Sequence, residues 1–419
     1  MKILQVIPYI PAPPTFGGAL RVYHLLKHNY KHHDLTVAGY VNEGTVEAME
    51  KDFPGIKNKM HFIHHPKSGS NKRILQALSL FSKHSNWYRN TYSNEMQALL
   101  NKLTDQTDFD LIQVEFPPLC QFEFRSDAKR IMDAHNVEYD NFYRMYKLEK
   151  SLPRKYFYKR EYEKFYTEEV ELASRQDAVF TTSERDKSIF QGHLPDMPIH
   201  VIPNGVDTEF FAPSDQPTEP NTLVFTGMMG YVPNSDGMLY FIESVLPLIQ
   251  KQIPDVKVYV VGKNPPQSIL EKASDNIIVT GFVDDVRPYV HRSAVYIVPL
   301  RMGGGTRLKV LEALSMKKPV VTTSIGCEGI DVVHDTHAII TDDAQSFAES
   351  VIKLLHDKKE SKRLSENGYE LIHNHYEWNA IGEKMETAFQ TLVDQDRNKT
   401  GNNIDPYTMN SNKIVQPTE

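Results

Sequence analysis

Short β-branched runs alternate with helical patterns along this chain, and the alternation runs through twice. KILQVI (2–7), DLTVAGY (34–40), HFIHH (61–65), FDLIQVE (109–115), KRIMDAHN (129–136) and DAVFTTS (177–183) read as strands. A second series follows: TLVFTG (222–227), VKVYVVG (256–262), NIIVTGF (276–282), AVYIVPL (294–300), PVVTTS (319–324) and HAIIT (337–341). Helical spacing lies between most of these runs, for example at 19–28, 237–252 and 306–316. Strands that alternate with helices pair in parallel, and the crossover helices cover both faces of the sheet. Two doubly wound α/β units are therefore expected. Their joint falls near IPNGVDTEFFAPSDQPTEPN (202–221), which is dense in Pro, Asn, Asp and Gly.

The chain has 419 residues, too many for one ordinary core. The expected division is 1–203 for the first unit and 204–375 for the second. Helical patterns at 344–357, 359–374 and 376–394 close the chain, and the last, taken as 376–395, is expected to cross back onto the first unit. Residues 396–419 are polar and read as a disordered tail. Two cysteines, Cys120 and Cys327, stand far apart, which suggests a reducing compartment without a disulfide framework. Met1 to Ile10 lacks a basic leader region and a small-residue cleavage site, so it reads as a first strand. No apolar run is long enough to span a membrane. A cytoplasmic location is expected. Net charge is −7, which argues against a nucleic-acid partner.

RMGGGTRLKVLEALSMKKP (301–319) has an odd charge pattern. The start of a helix carries partial positive charge and favours acids, yet Arg307 and Lys309 stand there. A bound anion would resolve the conflict. Glycines let a phosphate approach the backbone, free N–H groups point at it, and the cations balance its charge. A solvated helix end with two indifferent bases is the plainer alternative. In open α/β sheets ligands bind beyond the carboxyl ends of the strands. Gly17 and Gly18 lie at one such end and Gly303, Gly304 and Gly305 at another, so both glycine loops are expected to line one cleft.

PPTFGGALR, HNVE, TTSERDK, IPNGVD, GFVDDVRPYV and PLRMGGGTRLKVLEALSMKKPVVTT, in this order and spacing, resemble the retaining nucleotide-sugar glycosyltransferases of family four, of the bacterial surface-polysaccharide type. The resemblance covers roughly residues 1–395. It implies the GT-B architecture, two Rossmann-like parallel-sheet domains facing each other across a cleft. The second domain would hold the donor nucleotide and the first the acceptor. Glu312 matches the glutamate that holds the ribose hydroxyls, a task suited to an acceptor-only carboxylate. Arg307 and Lys309 would face the diphosphate, with Gly303, Gly304, Gly305 and Thr306 around it. Val283, in the loop 281–286, would meet the base. Gly17 and Gly18 would reach the diphosphate or sugar from the other domain. His135 matches a histidine near the donor sugar and, with Arg307 and Lys309, completes the expected catalytic set.

The chain also departs from the family pattern. The family commonly has two glutamates eight apart, and Gly304 stands where the first would be. It also carries Gly-Arg after the second domain's first strand, with a lysine six residues on. Here Gly227 is followed by Met228, and Asn234 holds the later position. Arg307 and Lys309 are expected to take over from these missing cations.

What the resemblance implies is a glycosyltransferase of the hexosyl type, retaining and metal-independent, serving cell-surface polysaccharide assembly. The donor would be a nucleoside-diphosphate sugar, UDP favoured, the acceptor a glycan or a lipid-linked molecule, and no cofactor is expected. Cations fixed at the leaving diphosphate gain most in the transition state, where charge grows. A catalytically inactive sugar-nucleotide-binding subunit is the alternative, and a nucleotide-sugar epimerase a more remote one. Glu115 and Glu138 are weaker candidates on the acceptor side; Glu138 is also placed to position His135. The pairs His32–His33 and His64–His65 read as surface histidines. Segment 71–90 is basic and aromatic and fits either a membrane surface or an ordinary packed helix. Segment 147–166 reads as a solvated helix with internal ion pairs.

Overall fold

The computed structural model describes residues 1–14, 17–41, 46–65 and 79–401. Thirteen described strands form two wholly parallel sheets. In the first, β1 (Lys2–Ile7), β2 (Asp34–Val41), β3 (Met60–His64), β4 (Leu111–Glu115), β5 (Lys129–Ala134), β6 (Ala178–Thr181) and β7 (Ile199–Val201) lie in the order 3-2-1-4-5-6-7. In the second, β8 (Thr222–Thr226), β9 (Lys257–Val261), β10 (Ile277–Gly281), β11 (Val295–Val298), β12 (Val320–Thr322) and β13 (Ile339–Ile340) lie in the order 10-9-8-11-12-13. The expected pair of doubly wound units, the GT-B architecture, is what the chain adopts. Central strands β4, β8 and β11 are buried along their whole length, as helices on both faces require.

Each sheet organises its own core. Leu223, Phe225, Val260, Ile297, Leu311 and Phe347 belong to the second. The two faces of the first sheet carry separate clusters, one around Leu4, Val114 and Phe165, the other around Ile3, Leu26 and Phe180. Trp378, Ile381, Met385, Ala388, Phe389 and Leu392 join the latter cluster. Their spacing is that of one helix face, so the closing helix, Trp378–Gly401, is built into the first sheet's core. Just before it, Tyr376 packs in the second core and its carbonyl accepts from Val206 N at 2.8 Å.

Several expectations need correction. Strand β7 was not anticipated; its three residues lie between Pro198 and Pro203 and carry too little pattern to read. The first helix opens at Gly17 and runs to His32. The helix expected at 237–252 starts earlier, at Val232, with Pro233 in its first turn. The expected tail is helical through Gly401, and its remainder, 402–419, lies outside the described residues.

The helix Leu152–Ser174 does carry pairs such as Arg160–Glu163, but it is not simply solvated. Glu161, Lys164, Glu168 and Glu169 are buried. Each acid has a donor: Ser79 Oγ and Asn86 N for Glu161, Ser85 N for Glu168, and Glu138 N and Tyr139 N for Glu169. Hydrogen-bonded carboxylates can be buried where bare ones cannot. His33 is likewise not a surface residue; its Nε2 meets Glu386 of the closing helix at 2.7 Å. In segment 71–90, residues 71–78 lie outside the described residues, Trp87 and Tyr88 pack on the first core, and Phe81 is 93% exposed. Among the described residues no helix is long and apolar enough to cross a membrane.

Candidate active site

Both sheets reverse their winding at a switch point, between β1 and β4 in the first and between β8 and β11 in the second. Crevices form at the carboxyl ends of strands at such points. Gly17 lies beyond β1, Glu115 ends β4, His135 follows β5, Gly227 follows β8, and the glycine loop follows β11. The two crevices face each other. A Cβ built on Gly17 would lie 3.3 Å from Leu308 Cδ1, one on Gly304 would collide with Asn141 Oδ1, and one on Gly305 with Asn136 Oδ1. The glycine loops thus line one cleft, with Gly18 partly buried beside Gly17.

The helix after the glycine loop is Leu308–Ser315, so it begins two residues later than expected. Arg307 is its cap residue, with φ −86° and ψ 83°, and no side chain caps the helix. Gly303 and Gly305 have φ of 121° and 76°, which favour glycine. Arg307 is buried and donates to the carbonyls of Gly304, Gly305 and Ile325. Among the described residues its Nη2 has no partner, and neither does the buried Thr306 Oγ1. Burial pulls the Arg307 guanidinium below its ordinary value. A buried cation with a spare donor is costly unless something anionic meets it.

Lys309 lies close to the two positions where the family pattern has cations and this chain does not. Its Nζ donates to Asn234 Oδ1 at 2.8 Å and lies 3.9 Å from the centre of the Phe225 ring. A Cβ on Gly227 would stand 2.6 Å from that nitrogen. The ammonium therefore sits between Gly227, which precedes Met228, and Asn234; 228 and 234 are the positions where the family pattern has cations and this chain has none. Burial pushes Lys309 down to about 7, against the opposing pull of Glu312. Glu312, one turn along, is pushed up to about 7 by burial.

Across the cleft, His135 is buried, with Nε2 2.9 Å from Glu115 Oε2. Gln5 and Gln113 both donate to Glu115 Oε1 at 2.7 Å. Glu115 is thus wholly buried beneath His135 instead of facing an acceptor. Burial, with Asp133 nearby, raises its pKa. Glu138 is also buried, and it engages Asn136 rather than His135. Glu115, Asp133 and His135 bring possible metal ligands within 4.8 Å of one another. Both Asp133 oxygens, however, already accept from Arg21, a fully buried pair at 2.7 Å. That arrangement fits an internal ion pair better than a cation site.

Val283 is partly buried against the second core, in a loop opened by Gly281 at φ 69°. Arg301, another cation near the loop, turns away to Asp236 at 2.7 Å. Sequence reasoning missed Asn136, Asn141 and Arg144. Arg144 makes two bonds to Glu328, at 2.9 and 2.8 Å, and a third to the carbonyl of Gly303 at 3.3 Å. Nothing in HNVEYDNFYR (135–144) marks which polar side chains face a partner 159 residues or more away.

Comparison with known proteins agrees with this geometry. Residues 17–210 match the family described as Glycosyltransferase Family 4, and residues 220–357 match Glycosyl transferases group 1. An uncharacterized 44.6 kDa protein in the cps region of Klebsiella pneumoniae is 23% identical, covering 90% of this chain and 96% of its own. The Escherichia coli UDP-Gal:alpha-D-GlcNAc-diphosphoundecaprenol alpha-1,3-galactosyltransferase is 26% identical over 45% of this chain and 55% of its own. Among solved structures, Anabaena HepE in complex with UDP superposes with a TM-score of 0.65 at 14% identity, covering 93% of this chain and all of that one. With both halves matched and the two sheets arranged as described, the chain belongs to the glycosyltransferases of the GT-B fold.

Proposed function

We propose that the chain transfers a sugar from a nucleoside-diphosphate sugar, with UDP as the favoured nucleotide, to a glycan or lipid-linked acceptor in surface-polysaccharide assembly. One observation carries the reading. Arg307, buried, and Lys309, partly buried, flank a glycine loop at the switch point of the second sheet, facing Gly17 of the first. Breaking the bond from the anomeric carbon to phosphate builds negative charge on the leaving diphosphate, and fixed cations there favour the transition state. Glu312 would accept from the ribose hydroxyls and Val283 would border the base. His135, held by Glu115, would lie beside the sugar.

The transfer is proposed to retain configuration, the leaving phosphate taking the acceptor's proton on the same face. It is also proposed to run without metal, since Arg307 and Lys309 supply the charge. The Escherichia coli relative names a diphosphoundecaprenol acceptor, which supports a lipid-linked one here. Contact of segment 79–90 with a membrane surface, through exposed Phe81, would bring the cleft to such a molecule.

Calorimetric titration with UDP, GDP and ADP tests the core of this. One nucleotide is expected to bind, and the Arg307→Ala/Lys309→Ala double variant should lose it while keeping its melting curve. Binding that survives in the double variant would refute the diphosphate assignment. Absence of any binding, together with no donor hydrolysis, would refute the transferase reading. Proton NMR of the product would report the anomer, and turnover in EDTA the need for metal.

A further inference from the structure

The helix Glu138–Leu148, through Asn141, and the turn before it, through Asn136, place two asparagine amides against the glycine loop of the other domain. Asn136 Nδ2 donates to Glu138 Oε1 at 3.3 Å, and the Asn141 side chain lies close enough to the same buried carboxylate to pull its pKa down. A carboxylate only accepts, so each amide turns its NH₂ inward and its oxygen outward. Both oxygens then meet the loop, Asn141 Oδ1 at Gly304 and Asn136 Oδ1 at Gly305. Neither oxygen accepts a hydrogen bond from a described residue. The helix is held in place by Arg144, which reaches Glu328 and Gly303 O, and by Arg185, 3.2 Å from Glu328.

The three glycines are needed for different reasons. Gly303 and Gly305 have positive φ and so suit glycine on backbone grounds. Gly304 has no such backbone need. What excludes a side chain at 304 is Asn141, whose oxygen occupies the space a Cβ would take. Beside these spare acceptors stand two spare donors, Arg307 Nη2 and Thr306 Oγ1. A sugar diphosphate presents the complement of both sets: anionic oxygens for the donors and hydroxyl protons for the amide oxygens.

We propose that Asn141, together with Asn136, accepts hydrogen bonds from the hydroxyls of the donor sugar and so selects among sugars, with Glu138 as the residue that positions both amides. Part of the donor specificity is then carried by the acceptor-side domain and exists only when the cleft is closed. This rests on the glycine loop being the donor site.

The test compares wild type with Asn141→Ala and Gly304→Ala. UDP affinity is measured by calorimetry, and kcat/KM for donor hydrolysis is measured on UDP-glucose, UDP-galactose and UDP-N-acetylglucosamine. Asn141→Ala is expected to bind UDP within about twofold of wild type and to shrink the preference among the three sugars by about tenfold, the worth of one lost hydrogen bond. Gly304→Ala should hydrolyse all three donors slowly, because its methyl group would take the space of the Asn141 amide oxygen. Melting curves report whether each variant is folded. An undiminished sugar preference in Asn141→Ala overturns the proposal, and so does a wild type that treats the three sugars alike. A wild type that binds no nucleoside diphosphate overturns the donor-site reading itself, a separate and earlier failure.

Discussion

Replacing Lys309 with methionine should weaken nucleotide binding and make the empty protein more stable. The stem keeps nearly the same volume, so the change removes charge and little packing. Among the described residues the ammonium's acceptor is Asn234 Oδ1, beside the Phe225 ring, and burial pushes its pKa down to about 7. An unfolded lysine titrates near 10.4. Between pH 7 and about 10 the unfolded chain therefore holds the extra proton, and wild-type stability gains as pH rises through that window. The variant lacks this gain. Its advantage in urea melts should be largest at pH 6 and should close toward pH 10.

Binding should behave in the opposite way. A charge-assisted hydrogen bond to phosphate contributes about 1.5–3 kcal/mol, so the variant should bind the nucleoside diphosphate roughly 10- to 150-fold more weakly. The diphosphate also favours the charged lysine. At pH 8 about nine-tenths of the free protein carries neutral Lys309, given the pKa of about 7. Nucleotide binding should then take up nearly one proton. Glu312, pushed up to about 7, is already mostly ionised at pH 8 and contributes little. Calorimetry in buffers of different ionisation enthalpy measures the uptake, which Lys309→Met should abolish. A variant that melts earlier than wild type at pH 6, or that retains the proton uptake, would refute the reasoning.

Three further outcomes are expected. Glu115→Gln should lower kcat for transfer more than tenfold with nucleotide affinity unchanged, because it loosens the partner of His135 Nε2; equal kcat would separate His135 from the chemistry. Asp133→Ala should cost about 3–5 kcal/mol in urea unfolding, since it strands the fully buried Arg21 guanidinium; a loss under about 1 kcal/mol would contradict that account. Arg144→Ala removes half-exposed bonds to Glu328 worth about 1 kcal/mol. It should enlarge the radius of gyration in small-angle scattering while shifting Tm by only a few degrees, and an unchanged radius would show that Arg144 does not hold the cleft.

The sequence by itself determined the architecture. Strands buried on both faces are mostly apolar, so β8 and β11 announce themselves as near-continuous runs, β1 and β4 as β-branched runs interrupted only by Gln5, Gln113 and Glu115, and the helices between them force parallel pairing. The glycine loop with its misplaced cations was legible too, because a charge set against a helix dipole is a local conflict. Strand β7 was not legible, since three residues carry no period. Nor was the burial of Glu115, Glu138 and Glu169, because an acid buried with its donors looks in sequence like an acid in water. Only the tertiary structure decided that Lys309 reaches back between Gly227 and Asn234 and that Asn141 closes on Gly304. Those contacts join residues 75 to more than 160 positions apart, and their direction is fixed by how two separately formed sheets face each other, which no local pattern encodes.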